Sequence, residues 1–189
     1  MQVFEHPGKE NAGKALELAL RKAIEIDAPA VVLPSGTGET GVLAAELAQE
    51  LGYKGQLVVV RTVSKAALSG GNKMPAAMKE MLESNGVKVV SCAHALSAGE
   101  RGISGKFHGV YPLELMAATL RTFGQGMKVA FECAVMALDT DAIPYGMPVV
   151  SLGGNSYGVD TAVIMTPAYS ADILETKIHE VLCKPGLYQ

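Results

Sequence analysis

From Asn11 to Ile26 (NAGKALELALRKAIEI) the apolar residues Ala15, Leu18, Ala19, Ala23 and Ile26 fall at helical spacing, which predicts a helix with one buried stripe. Ala30-Val-Val-Leu-Pro34 is a short apolar run with β-branched residues, the pattern of a buried strand. Ser35 to Thr40 (SGTGET) predicts a turn, and Gly41 to Leu51 a helix stopped by Gly52. The cycle then repeats. Gln56 to Val60 is a second strand, Ser69-Gly-Gly-Asn72 a loop, Pro75 to Ser84 a helix ending at Gly86, and Val87 to Ser91 a third strand. Strands alternating with helices of this length predict right-handed βαβ units and a parallel sheet covered on both faces.

The rhythm changes between Ala93 and Ile143. Ser97 to Gly109 (SAGERGISGKFHG) is polar and glycine-rich, and long for an ordinary connection, so it is expected to be a functional or mobile loop. Pro112 suits a first helical position, with Leu113, Met116, Leu120 and Phe123 as a stripe behind it. Gly124-Gln-Gly126 breaks that helix and Met127 to Leu138 begins another. Pro148 to Leu152 predicts a fourth strand and Asp160 to Met165 a fifth. The seven residues from Gly153 to Val159 are too few for a parallel crossover, so the fifth strand should run antiparallel to the fourth. Ala171 to Leu182 is expected to close the chain as a helix. No repeat or linker divides the sequence, and residues 1–189 are expected to form a single α/β domain.

Composition narrows the function classes. Sixteen Lys+Arg against 19 Asp+Glu leave a net charge of −3, without a long like-charge run. That excludes a polyanion binder working by bulk electrostatics, so no nucleic-acid partner is expected. One locally held phosphate is still compatible. The 49% hydrophobic content excludes disorder. Charged residues, at 19%, fall below the usual fraction of about 25%, which suggests a homo-oligomer. Cys92, Cys133 and Cys183 are odd in number and widely spaced, so neither a disulfide framework nor a zinc knuckle is expected. The N-terminal segment lacks a signal-peptide pattern, and no apolar stretch approaches the roughly 20 residues of a membrane span. A soluble cytoplasmic protein, with no membrane association and no metal, is the expectation.

The segment with most chemistry is Ser35, Gly36, Thr37, Gly38, Glu39 and Thr40. It leaves a buried strand and enters a helix, where free backbone N–H groups and the helix dipole favour an anion. Gly36 and Gly38 would let backbone approach a ligand, and three hydroxyls add donors. Either this is a phosphate cradle or Thr37 or Thr40 merely caps the helix. The spacing Gly36-x-x-x-x-Gly41 suggests a P-loop, but Val42 and Leu43 stand where Lys and Ser/Thr are needed, which rejects nucleoside triphosphate hydrolysis. Gly36-x-Gly38-x-x-Gly41 also fits a dinucleotide fingerprint, with Arg61 in place of the ribose-binding acid, so an NADP-dependent enzyme is a weaker alternative.

A second glycine-rich loop comprises Gly153, Gly154, Asn155, Ser156, Tyr157 and Gly158. It is either a plain connection or a site where Asn155 and Ser156 bond a ligand while Tyr157 covers an aromatic ring. Asp160 and Thr161 follow; Asp160 either bonds a ring or ribityl group or caps the turn. Arg101, flanked by Gly99 and Gly102, is the best candidate in the 97–109 segment for a phosphate or carboxylate contact. His6, His94 and His179 have no metal-ligand spacing and are expected as core, cap or surface residues. Glu132 lies amid apolar helical residues, surface or paired, and burial would alter its pKa. No Ser-His-Asp triad or paired-carboxylate spacing is present.

The run Ala30-Val-Val-Leu-Pro-Ser-Gly-Thr-Gly-Glu-Thr-Gly-Val-Leu43 resembles the strand, Ser/Thr-Gly loop and helix of the pyruvate kinase C-terminal domain, where that loop helps hold a phosphorylated effector. The whole chain is similar to small stand-alone relatives of that domain, uncharacterised archaeal and bacterial proteins. Arg101-Gly-Ile-Ser, Leu120-Arg-Thr-Phe-Gly-Gln-Gly-Met-Lys-Val and Asp160-Thr-Ala-Val carry this closer likeness. The catalytic barrel has no counterpart, so pyruvate kinase activity is not implied. The resemblance implies a three-layer α/β/α sandwich around a five-stranded, mostly parallel sheet of strand order 3-2-1-4-5, with the last strand antiparallel. It also implies bound FMN, whose phosphate would sit on Ser35 to Thr40 and whose flavin would sit near Gly153 to Gly158. The two loops would face one another at the switch point of the sheet. Two readings follow: an FMN-binding α/β protein of unknown reaction, with a flavoenzyme that closes a loop carrying Arg101 as one form of it, or a non-catalytic sensor of a phosphorylated metabolite.

Overall fold

The computed structural model describes residues 1–63, 74–155 and 158–186. Its elements are β1 (Gln2–Phe4), α1 (Ala12–Glu25), β2 (Ala30–Pro34), α2 (Glu39–Leu51), β3 (Gln56–Arg61), α3 (Ala76–Ser84), β4 (Lys88–Ser91), α4 (Ala98–Phe107), α5 (Pro112–Arg121), α6 (Gln125–Asp139), β5 (Val149–Gly153), β6 (Thr161–Thr166) and β7 (Lys177–Pro185). Short 3-10 turns cover Lys9–Asn11 and Ser170–Glu175. The loop expected at Ser69–Asn72 lies outside the described residues.

The sheet is mixed and has seven strands, not five, in the order β1-β7-β6-β5-β2-β3-β4. β2, β3, β4 and β5 run parallel, with Val31 opposite Val150 and Leu57. The carboxyl ends of these strands therefore share one edge. β6 pairs antiparallel with β5, joined by the short connection.

Alternate residues of the central strands feed two cores. Val31, Leu33, Leu57, Val59, Val150 and Leu152 pack under α1, α2 and α3. Ala30, Val32, Val58, Val60, Val149 and Val163 pack under α6. That period-two division explains why both strand faces are apolar. In α6 every residue from Gly126 to Leu138 except Val129 is buried, so this helix is sandwiched between the sheet and α5.

Three expectations are corrected. The closing helix over Ala171–Leu182 is a 3-10 turn followed by β7, which pairs antiparallel with β6 and parallel with β1. Its composition permits either state, and the open backbone of β6 decided between them. The three-residue strand β1 had too short a pattern to register. Finally, Ser97–Gly109 is mostly helix: α4 carries Gly99, Gly102 and Gly105 on open surface and buries none of its residues. Tertiary bonds hold it, because Ser104 Oγ donates to Glu114 Oε1 (2.7 Å) and Glu100 accepts the N–H of Glu114 (2.8 Å) in the first turn of α5. No helix among the described residues is long and apolar enough to cross a membrane.

Candidate functional site

At the carboxyl edge of the parallel strands lies a cavity of about 350 Å³. Its floor is Pro34, Ser35 and Gly36 from β2 and its loop, with Val60, Arg61 and Thr62 from β3. His94, Ser97 and Arg101 come from the β4–α4 segment, and Arg121, Gln125, Lys128, Val129, Glu132, Cys133 and Met136 from α5 and α6. This volume lies in the ordinary range for small-molecule sites, about 300–1,000 Å³. Two larger cavities, about 430 and 500 Å³, are each lined by one lysine and one glutamate, Lys88 with Glu83 and Lys54 with Glu46. The carboxyl-edge cavity differs sharply. It gathers four cationic side chains and one carboxylate in a chain of net charge −3.

The cations are held in two ways. Lys128 is buried and paired with Glu132 one helical turn later. The guanidinium groups of Arg61, Arg101 and Arg121 have no carboxylate partner among the described residues. Arg61 Nε donates to Ser91 Oγ (2.7 Å) and Arg121 Nε to Gln125 Oε1 (2.9 Å). Neutral partners thus orient Arg61 and Arg121, and no carboxylate among the described residues offsets the three guanidinium charges.

The Ser35–Thr40 turn resolves into separate roles. Ser35 is buried, and its Oγ accepts the N–H of Gly38 (3.1 Å), leaving the hydroxyl hydrogen free to donate. Thr37 Oγ1 accepts the N–H of Glu39 at 3.5 Å. Gly36 is exposed, lines the cavity and has open space where a Cβ would stand. Gly38 has a different purpose: its φ of +102° and a Cβ position only 2.2 Å from Met78 Cγ make it a backbone and packing requirement. Gly41 lets α2 approach Val59 and Leu82. Thr37, Glu39 and Thr40 do not line the cavity.

The β5–β6 residues sit at the same edge, packed against the first turn of α6. A Cβ on Gly153 would stand 2.1 Å from Gly126 O and one on Gly126 2.1 Å from Thr161 Oγ1, so the two glycines bring helix and strand into contact. Asp160 and Thr161 are buried; Thr161 Oγ1 donates to Asp160 Oδ1 (2.9 Å). Burial pushes the Asp160 carboxyl up despite hydrogen bonds from Thr161 and the Gly8 backbone. Gly154 is buried and Asn155 exposed, while Ser156 and Tyr157 lie outside the described residues. Of the residues expected from sequence, the cavity thus joins Ser35, Gly36 and Arg101 and leaves the β5–β6 group beside it.

Its deepest polar group was underestimated by periodicity alone. Glu132 is only 2% exposed; it accepts from Lys128, accepts the N–H of Leu96 (3.0 Å) and faces His94 Nδ1 at 3.2 Å. Burial raises its pKa, but the hydrogen bonds from His94 and Lys128 outweigh that and hold it below the usual carboxylate range. A signal was present. Lys128 and Glu132 are the charged residues of an otherwise apolar run and stand four apart, on one helix face. Nearby Cys133 is buried, and its thiol is pushed up by that burial and then by Glu132. No protein-family model matches the chain.

Proposed function

We propose that this protein binds a phosphorylated small molecule at the carboxyl edge of its sheet, and that FMN is the ligand. One observation carries the reading. Three guanidinium groups without carboxylate partners among the described residues line a single ligand-sized cavity together with Ser35 and Gly36. Guanidinium groups on the lining of a cavity present forked N–H donors, and a phosphate monoester offers oxygens to match them. The phosphate sits against Ser35, Gly36 and the arginines, and the flavin extends along the edge toward Gly153 to Gly158. Adjacency of β2 and β5 supports that direction. The resemblance to stand-alone pyruvate kinase C-terminal domain relatives, in which FMN is bound, selects FMN among phosphorylated compounds.

The test is direct. Purified protein should show a flavin absorption spectrum or acquire one when FMN is added, and mass spectrometry of the released ligand should return FMN. Colourless protein that takes up no FMN refutes the flavin; thermal stabilisation by sugar phosphates instead identifies a sensor of a phosphorylated metabolite. If neither class shifts the melting temperature, phosphate binding is wrong altogether.

A further inference from the structure

Lys128, Glu132 and His94 form one hydrogen-bonded chain on the wall of the cavity. An ion pair between Lys128 and Glu132 would be complete without a histidine, so the imidazole calls for its own explanation. Lys128 and the Leu96 N–H both donate to Glu132, the surroundings of an ionised carboxylate. An ionised carboxylate accepts hydrogen bonds and donates none. In a neutral ring the Nδ1 that faces Glu132 Oε2 at 3.2 Å must therefore be the protonated nitrogen. The ring's lone pair is then on Nε2, for which the described residues supply no partner. Unlike Lys128 and Glu132, whose side chains are 6% and 2% exposed, the His94 side chain is 43% exposed.

We infer that His94 is the proton acceptor of the cavity, its Nε2 meeting an acidic hydrogen of the bound phosphorylated ligand, with Glu132 as the positioning residue that fixes tautomer and ring orientation. The inference rests on the cavity being the ligand site proposed above, and it narrows the ligand class. The phosphorylated molecule must carry an O–H or N–H donor, as polyol and sugar phosphates do. In the bound state the donor makes a hydrogen bond to Nε2. If the proton is transferred, the ligand O–H bond breaks and an N–H bond forms on Nε2. The electron pair stays on the ligand oxygen, the cavity's arginines balance the new anion, and Glu132 balances the imidazolium. No redox partner is required.

Two measurements on the intact protein test this. With 15N-labelled histidine, the neutral His94 ring should show protonated Nδ1 and bare Nε2; Glu132→Gln, whose amide can donate to Nδ1, should shift it toward the Nε2–H form. Second, diethylpyrocarbonate acylates bare imidazole nitrogens, and peptide mass spectrometry reads each of the four histidines separately. With FMN at about ten times its Kd, mass action leaves about one site in eleven free, so acylation of His94 should slow about tenfold. Exposed His6 should keep its rate. An Nε2–H tautomer in the wild-type protein overturns the inference, whether or not the variant folds. So does unchanged acylation of His94 in protein whose spectrum shows FMN bound. Failure to take up FMN refutes the flavin reading by itself, and the tautomer then decides this one.

Discussion

The buried pair in α6 offers the sharpest energetic test. Lys128→Met removes one charge and leaves Glu132 with two donors, His94 and the Leu96 N–H. Glu132→Leu is harsher. It strands an ammonium whose side chain is 6% exposed, orphans the Leu96 N–H and releases His94. Breaking a buried ion pair costs about 3–5 kcal/mol, so the lysine variant should fall near the lower figure and the glutamate variant near the upper. The double variant strands no charge and keeps only the orphaned N–H, worth about 1–3 kcal/mol. Its loss should therefore be smaller than that of Glu132→Leu alone. Urea unfolding of the four proteins reads these values from their midpoints. Because the folded pKa of Glu132 is lowered, its contribution is complete above the ordinary carboxylate range and fades as pH falls through the lowered value. The gap between wild type and Glu132→Leu should accordingly narrow in acid. Single losses below about 1 kcal/mol, or losses that add within about 0.5 kcal/mol, would refute the assignment of a coupled buried pair.

Two further variants separate binding from folding. Arg101→Ala deletes an exposed guanidinium that has no carboxylate partner among the described residues. It should weaken phosphorylated-ligand binding by about 10- to 100-fold, since a charge-assisted hydrogen bond is worth about 1.5–3 kcal/mol. Its unfolding midpoint should barely move, and equal affinity in calorimetry would remove Arg101 from the site. Gly153→Ala places a Cβ 2.1 Å from Gly126 O and 2.5 Å from Ala130 N, both backbone atoms. Overpacking of this kind costs about 1–3 kcal/mol, and because neither atom can rotate away the upper figure is expected. A loss below about 0.5 kcal/mol in urea would mean that α6 does not sit this close to β5.

Periodicity at two and at 3.6 residues, with glycine and proline at the breaks, determined much of this protein from sequence. It located α1, β2, α2, β3, α3, β4, α5, α6, β5 and β6 to within a few residues. The seven-residue connection determined the antiparallel pairing of β6, because chain length limits geometry directly. Ser35, Gly36 and Arg101 were legible for a similar reason: their chemistry is local. The structure decided what depends on neighbours. Lys177–Pro185 is a strand because β6 offered unpaired backbone, and Ala98–Phe107 is helical because bonds from α5 offset its three glycines. Arg61, His94, Arg121 and the Lys128–Glu132 pair come from separate parts of the chain and meet only when parallel strands bring their carboxyl ends to one edge. A charge on an apolar helix reads the same in sequence whether it faces water or a partner. Folding chose the partner for Glu132, and with it the electrostatics of the cavity.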